Sequence, residues 1–157
     1  MTMQMIEGRL TPPTGRFVLV ASRFNELVVD RLLQGAQAQL ERLGVGTEHI
    51  TIVRVPGANE VPLACKHAIS GLKPVAVIAL GAVVRGETFH FEVVAGGSAS
   101  GLAQIALETG VPVLNAIVTT NTLEQALDRA GGKAGNKGAD AALAAVEMVN
   151  LLQSLHA

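Results

Sequence analysis

The chain has no tryptophan, no tyrosine and only four phenylalanines. A core without large aromatics has to be assembled from Ala, Val, Ile and Leu, and the composition is 49% hydrophobic. A single cysteine, Cys65, excludes an internal disulfide framework and suits a reducing compartment. Charge is scarce and balanced: 16% of residues are charged and the formal net charge is −1. That apolarity excludes intrinsic disorder, and the balance excludes a global pull on nucleic acid or anionic lipid. The uncharged stretch Val75–Val84 is broken by Gly81. It falls well short of the ~20 residues a membrane span needs. Met1–Pro13 has no basic head followed by an apolar stretch, so no signal peptide is expected, which points to the cytoplasm. Absent too are a Walker phosphate loop, a dinucleotide-type glycine motif opening a helix after the first strand, a G-x-S-x-G elbow and any zinc-ligand spacing.

What is present reads as one domain over residues 1–157, with 1–15 as an N-terminal arm. Phe17–Ser22 is a nearly continuous apolar run, as in a strand buried on both faces. Val29, Leu32, Leu33, Ala36, Leu40 and Leu43 then recur at helical spacing, ended by Gly44 and Gly46. Ile50–Val55 reads as a second strand stopped by Pro56-Gly57, and Glu60–Ser70 as a helix with Pro62 in its first turn. Val75–Leu80 is a third strand closed by Gly81. Glu92–Glu108 is a helix weakened by Gly96, Gly97 and Gly101. Pro112–Val118 is a fourth strand, Thr122 caps a short helix through Arg129, Gly131–Gly138 is a Gly/Lys loop, and Ala139–Leu155 is the last helix. Strand and helix thus alternate, which predicts an α/β domain with a parallel sheet covered by helices on both faces. The mean hydropathy of +0.40 fits either a dense Ala/Val core or apolar surface buried against further copies.

In such sheets ligands bind at the carboxyl ends of the strands, so chemistry is sought there. Phe24, between Arg23 and Asn25, either stacks on a flat ligand or staples the first helix. Glu60 is either a first-turn carboxylate favoured by the helix dipole or an acceptor for ligand hydroxyls. Arg85-Gly86-Glu87-Thr88-Phe89-His90 is the densest polar cluster. It is either a capping segment or an anion site beside a histidine, the residue type that ordinarily titrates near neutral pH. Arg129, Lys133 and Lys137 answer a helix C-terminus or bind phosphate. His49, His67 and His156 read as structural or exposed.

These strand-end residues form a wider pattern. Ser22-Arg23-Phe24-Asn25, Val55–Pro62, Ala79–Phe91, Thr119–Ala126, and Asp128–Gly131 followed by Gly135–Gly138 occur in order. Together they span nearly the whole chain and resemble the lumazine synthase family of riboflavin biosynthesis. The resemblance implies a flavodoxin-like three-layer αβα sandwich with a four-stranded parallel sheet. It implies condensation of 5-amino-6-(D-ribitylamino)uracil with 3,4-dihydroxy-2-butanone 4-phosphate to 6,7-dimethyl-8-ribityllumazine, with no metal and no organic cofactor. By position, Phe24 would stack on the pyrimidine, and Ala58, Asn59 and Glu60 would hold the ribityl chain. Ala82, Val83 and Val84 would present backbone groups to the ring. Glu87 and Thr88 would lie at the phosphate, and His90 would transfer protons. Arg129 would pair with the phosphate beside Lys137, and with Asn115 these two would reach in from an adjacent subunit.

Two positions depart from the commoner family pattern. Asn59 stands where many relatives carry an aromatic, and Asn115-Ala116 stands where many carry Phe-Gly. The resemblance further implies a homopentamer, and the short Gly131–Gly138 loop favours a closed icosahedral shell of twelve pentamers. Riboflavin synthase would be a partner. In relatives the N-terminal arm adds a strand to a neighbouring subunit, and Met5–Leu10 is the candidate segment. A non-catalytic flavin binder or a vestigial shell protein could dispense with His90 or Arg129, and both are present. A phosphate-responsive signalling domain needs an acidic cluster after the first strand, where this chain has Ser22-Arg23-Phe24.

Overall fold

The computed structural model describes residues 2–157. Its main elements, in chain order, are β1 (Phe17–Ser22), α1 (Glu26–Arg42), β2 (Ile50–Val55), α2 (Val61–Leu72), β3 (Ala76–Val84), α3 (His90–Thr109), β4 (Val113–Thr120), α4 (Leu123–Asp128), β5 (Ala130–Gly132), β6 (Gly135–Asn136) and α5 (Lys137–Leu155). Strands β1 to β4 form one four-stranded sheet in the order β2-β1-β3-β4, and every pairing in it is parallel. This is the expected flavodoxin-like three-layer sandwich.

Alternation along β1 separates the two layers. Phe17, Leu19 and Ala21 belong to the core shared with α1 and α5, whereas Val18 and Val20 belong to the core shared with α2 and α3. No residue of β1 is exposed. Such a strand needs apolar residues at every position, and FVLVAS supplies them up to the buried Ser22. On α1, Val29, Leu32, Ala36 and Leu40 form the inward stripe, and Gly44 at φ 96° lets the chain turn away.

The element boundaries differ from expectation at five places, one being β4, which runs past Val118 to Thr120. Strand β3 does not stop at Gly81 but runs on to Val84. Gly81 is paired with Ile117 inside the ladder, and a side chain there would crowd the Ser22 hydroxyl at 3.1 Å. It is a packing glycine rather than a breaker. Helix α2 starts at Val61 after a single 3-10 turn over Ala58–Glu60. Helix α3 begins at His90, before Glu92, so His90 opens a helix. The Gly/Lys loop contains a minute antiparallel hairpin, β5–β6, and α5 begins at Lys137. The expected Thr122 cap is present, with its side-chain oxygen accepting from the Gln125 N–H at 3.1 Å.

The arm ahead of β1 forms no strand or helix among residues 2–16. It is held on α5 by Asn150, whose Nδ2 donates to the carbonyls of Arg9 (2.6 Å) and Thr11 (2.8 Å). Met3 and Met5 on it remain largely exposed.

Helices α1 and α5 meet closely at Gly138, where a Cβ would lie 2.0 Å from the Leu32 carbonyl oxygen. Gly138→Ala would push two backbones apart, and we expect it to cost about 2 kcal/mol or more of unfolding free energy. Gly71→Ala, with nothing within 4 Å of the added carbon, should be neutral or slightly stabilising. Urea denaturation of the two variants checks the contrast. Burial of Cys65 pushes its thiol up from 9.0 to about 12. The thiol stays neutral in the native state, so a thiol-specific reagent at pH 8 should modify it only as the protein unfolds. Because the folded thiol holds its proton more tightly, its contribution to stability is complete below pH 9.0 and is lost as the pH rises towards about 12.

Candidate active site

In the order β2-β1-β3-β4 the chain winds outward in one direction from β1 to β2 and in the other from β3 to β4. The resulting crevice between β1 and β3 is where this topology binds ligands. A cleft of about 560 Å³ lies there. Its walls come from three turns: Phe24 and Asn25 after β1, Pro56–Glu60 after β2, and Ala82–Val84, Gly86, Thr88, His90 and Phe91 at the end of β3 and the start of α3.

Asn25 closes the switch point. Its backbone is left-handed, φ 62° and ψ 46°, and its carbonyl accepts the first turn's N–H groups from Val28 and Val29. Its side chain does not cap α1; Nδ2 instead donates to the Ala82 carbonyl at 3.2 Å. This bond ties the β1 turn to the end of β3. The turn is also fastened to β2, because Arg23 and Phe24 donate their N–H groups to the carbonyls of Val55 and Pro56. Phe24 is therefore held by its backbone while its ring is 70% exposed. A ring packed on α1 as a staple would be covered, so the stapling alternative fails.

Beyond Val84 the cleft wall changes character. Glu87, Thr88, Phe89 and His90 are all exposed. Within the loop, the His90 N–H reaches the Thr88 hydroxyl at 3.4 Å. Firmer restraint comes from Arg85, which bonds to Asn121 and Glu92 and lies over Phe91.

A second cavity of about 450 Å³ runs along β4 and the start of α5, lined by Asn115, Thr119, Arg129, Lys137 and Asp140 among others. The β5–β6 hairpin brings two cations together here, with the Lys137 N–H donating to the Arg129 carbonyl at 2.8 Å. Arg129 Nη1 bonds to the Gln125 carbonyl at 3.0 Å, and Lys137 Nζ lies 3.6 Å from Asp140. Asn115 Oδ1 accepts from the Ile117 N–H at 2.9 Å, which leaves its amide NH₂ unengaged.

The sequence candidates therefore fall into two groups. Phe24, Ala58, Asn59, Glu60, Ala82, Val83, Val84, Thr88 and His90 line the cleft, while Asn115, Arg129 and Lys137 line the second cavity. Glu87 lines neither, and nor does Lys133, which faces Asp128 at 3.9 Å. Sequence reasoning missed the role of Asn25. An asparagine before a helix reads as an ordinary cap, and no local signal distinguishes one that reaches across the sheet instead. Among the described residues no three His, Cys, Asp or Glu side chains are grouped to hold a metal ion, and no helix is long and apolar enough to cross a membrane.

A family model described as 6,7-dimethyl-8-ribityllumazine synthase matches residues 14–153. The chain belongs to the lumazine synthase family. A 6,7-dimethyl-8-ribityllumazine synthase from Edwardsiella ictaluri (strain 93-146) is 52% identical over 156 residues, covering 99% of this chain and 100% of that protein. One from Desulfotalea psychrophila (strain LSv54 / DSM 12343) is 51% identical over 150 residues, 96% of this chain and 97% of its own. A solved GDP-L-fucose synthetase from Naegleria fowleri aligns with TM-score 0.40 and 13% identity over 98% of this chain and 46% of its own, a likeness too slight to bear on fold or function. Both lumazine synthase relatives are matched nearly end to end, so the cleft and the second cavity lie within the shared region.

Two contributions of Asn25 to this lumazine synthase fold can be separated by substitution. Asn25→Ala removes the bond to Ala82 and strains the left-handed backbone; about 1–2 kcal/mol of stability should go with it. Asn25→Gly relieves the strain but not the lost bond and should recover only part of that loss. Thermal unfolding of the three proteins checks the order.

Proposed function

We propose that this chain condenses 5-amino-6-(D-ribitylamino)uracil with 3,4-dihydroxy-2-butanone 4-phosphate to 6,7-dimethyl-8-ribityllumazine, releasing phosphate and water. The observation that carries this reading is the convergence of Phe24, Ala58–Glu60, Ala82–Val84, Thr88 and His90 on one cleft at the β1/β3 crevice, in a chain matched end to end by proteins of that name.

The pyrimidine's own amine is the nucleophile. It attacks the ketone to give an imine, phosphate is eliminated, and ring closure follows. The protein's task is orientation, proton transfer and phosphate binding. Phe24 offers an exposed ring at the cleft mouth for stacking. The half-buried Glu60 carboxylate accepts from ribityl hydroxyls beside Asn59. Ala82–Val84 offer backbone groups to the ring edge. Thr88 supplies a hydroxyl donor at the start of a long helix, where backbone N–H groups favour an anion. His90, in the same first turn, carries protons between the reacting nitrogen, the departing phosphate and solvent. Glu87 belongs to the same phosphate loop but does not line the cleft.

Arg129, Lys137 and Asn115 complete the site from a neighbouring copy. Supporting this is their separation from the cleft within one chain: the phosphate fork and the phosphate loop occupy different cavities. A head-to-tail contact that closes as a ring joins the second cavity of one copy to the cleft of the next. Exposed apolar side chains fit the same assembly. Phe89 (83%), Val93 (66%) and Leu63 (64%) stand out from α2, α3 and the turn before α3, and the edge strand β2 leaves Ile52 42% exposed. Met5–Leu10 is the segment we assign to pairing with a neighbour's β2 edge. We read the assembly as a homopentamer in the cytoplasm, further assembled into an icosahedral shell, with riboflavin synthase as the protein that takes up the product.

The test mixes the purified protein with both substrates and follows lumazine fluorescence. Wild type should exceed the spontaneous rate. Arg129→Ala should raise KM for the butanone phosphate about 10–100-fold, as expected for loss of a charge-assisted phosphate contact, with little change in KM for the pyrimidine. Sedimentation should find a species many times heavier than 16.2 kDa. An assembled protein without activity above background would leave a binder or shell, and an active monomer would overturn the shared site.

A further inference from the structure

We propose that Arg85 is a positioning residue for this reaction: it clamps the exposed loop carrying Thr88 and His90 to the β4–α4 turn, and does not itself bind substrate. The proposal rests on the activity proposed above and adds a residue to the machinery for which the cleft gives no direct cue. Val84 and Gly86, on either side of Arg85, line the cleft, whereas Arg85 does not. Its side chain turns the other way and meets three groups at once. Nε donates to Asn121 Oδ1 at 2.9 Å, Nη1 lies 3.1 Å from Glu92 Oε1, and the guanidinium carbon stands 4.8 Å from the centre of the Phe91 ring. Its backbone N–H also donates to the Thr120 carbonyl at 2.9 Å.

These partners bracket the loop. Phe91 and Glu92 follow His90 directly in the first turn of α3, and Asn121 closes β4. Asn121 is itself fixed, since its N–H donates to Gln125 Oε1 at 2.9 Å. The loop has little else to hold it. Gly86 has no neighbour within 4 Å of a would-be Cβ, Phe89 is 83% exposed, and α3 has no side-chain cap. A lone surface ion pair holds weakly, but a planar fork that is hydrogen-bonded, paired and stacked at once has its orientation fixed by all three contacts. Lysine could keep the charge near Glu92 but not the Nε–H bond or the flat face.

Two variants and one cycle decide the matter. Arg85→Met should lower kcat and raise KM for the butanone phosphate, together about 100-fold in kcat/KM, the loss typical of catalytic groups misplaced by about 1 Å. KM for the pyrimidine should stay within about twofold. Arg85→Lys should recover little, because geometry rather than charge is lost. Asn121→Ala should show part of the same loss, and the double variant should be no worse than Arg85→Met alone. Amide hydrogen exchange over residues 86–91 should speed up about tenfold or more in Arg85→Met while the sheet amides are unchanged. That readout needs no turnover, so an inactive wild type would remove the proposed activity and still leave the clamp tested. Full recovery by Arg85→Lys would make Arg85 a direct phosphate ligand and overturn the proposal. So would losses that multiply in the double variant, an equal loss for both substrates, or unchanged exchange in the loop.

Discussion

The constraint on which the rest of the molecule depends is a parallel sheet whose two central strands are closed off on both faces. Every residue of β1 is buried, and so is every residue of β3 except Val84. With no tryptophan or tyrosine in the chain, this is achieved, Phe17 apart, mainly with small and branched aliphatics that let the helices approach closely. At Gly138 that approach excludes even a methyl group. Such central strands have no room for polar function along their length. Polar side chains are displaced to the strand ends, where backbone direction changes and water is near. The Asn25–Ala82 bond, which joins the ends of β1 and β3, converts that displacement into a defined cleft.

This division explains what the sequence disclosed. β1 and β2 were legible to the residue: β1 because a doubly buried strand tolerates almost nothing but apolar residues, and the edge strand β2 because its β-branched run is stopped by Pro56-Gly57. The end of β3 was not legible. Gly81 looks like punctuation, and only the neighbouring Ser22 and Ile117 reveal that it fills a tight place in a continuing ladder. The cleft residues were readable as polar interruptions at strand ends, and the family pattern sharpened them. Their separation into two cavities leaves no local mark in the chain; only the family resemblance set Asn115, Arg129 and Lys137 apart, and the structure places those three in a different cavity from the cleft. Phe24 shows the gain from coordinates. The sequence permits both a staple and a stacking ring, and an exposed ring on a fastened backbone removes the first.

The two cavities also differ in how they are built. The cleft floor rests mainly on strand ends and the Asn25 bond, while the Arg85–His90 loop depends on side-chain contacts. The second cavity is organised by backbone: the β5–β6 hairpin joins Lys137 to Arg129, and Asn136 both accepts from the Ala139 N–H and donates to the Arg31 carbonyl. Within the proposed ring, two cations joined through their backbones in one copy would meet the loosely held loop of the next. In that proposed arrangement the phosphate's charge would draw the loop toward the Arg129 fork, and the Arg85 contacts would limit its excursion.

Asn115 completes this logic at the β4 edge. A backbone N–H can only donate, so the amide oxygen must face Ile117 and the NH₂ must face outward. The same contact satisfies an N–H that an edge strand would otherwise present to a stray partner. Thr119 does the complementary service, its hydroxyl reaching the Ile117 carbonyl at 3.4 Å. With both polar groups of Ile117 answered locally, the middle of the β4 edge is poorly suited to extending the sheet into another subunit. Contact along it has to be made through side chains, of which Asn115 offers two hydrogen-bond donors and no free acceptor at its NH₂ face. Asn115 therefore presents a directional donor at this edge, where a phenylalanine could offer only packing.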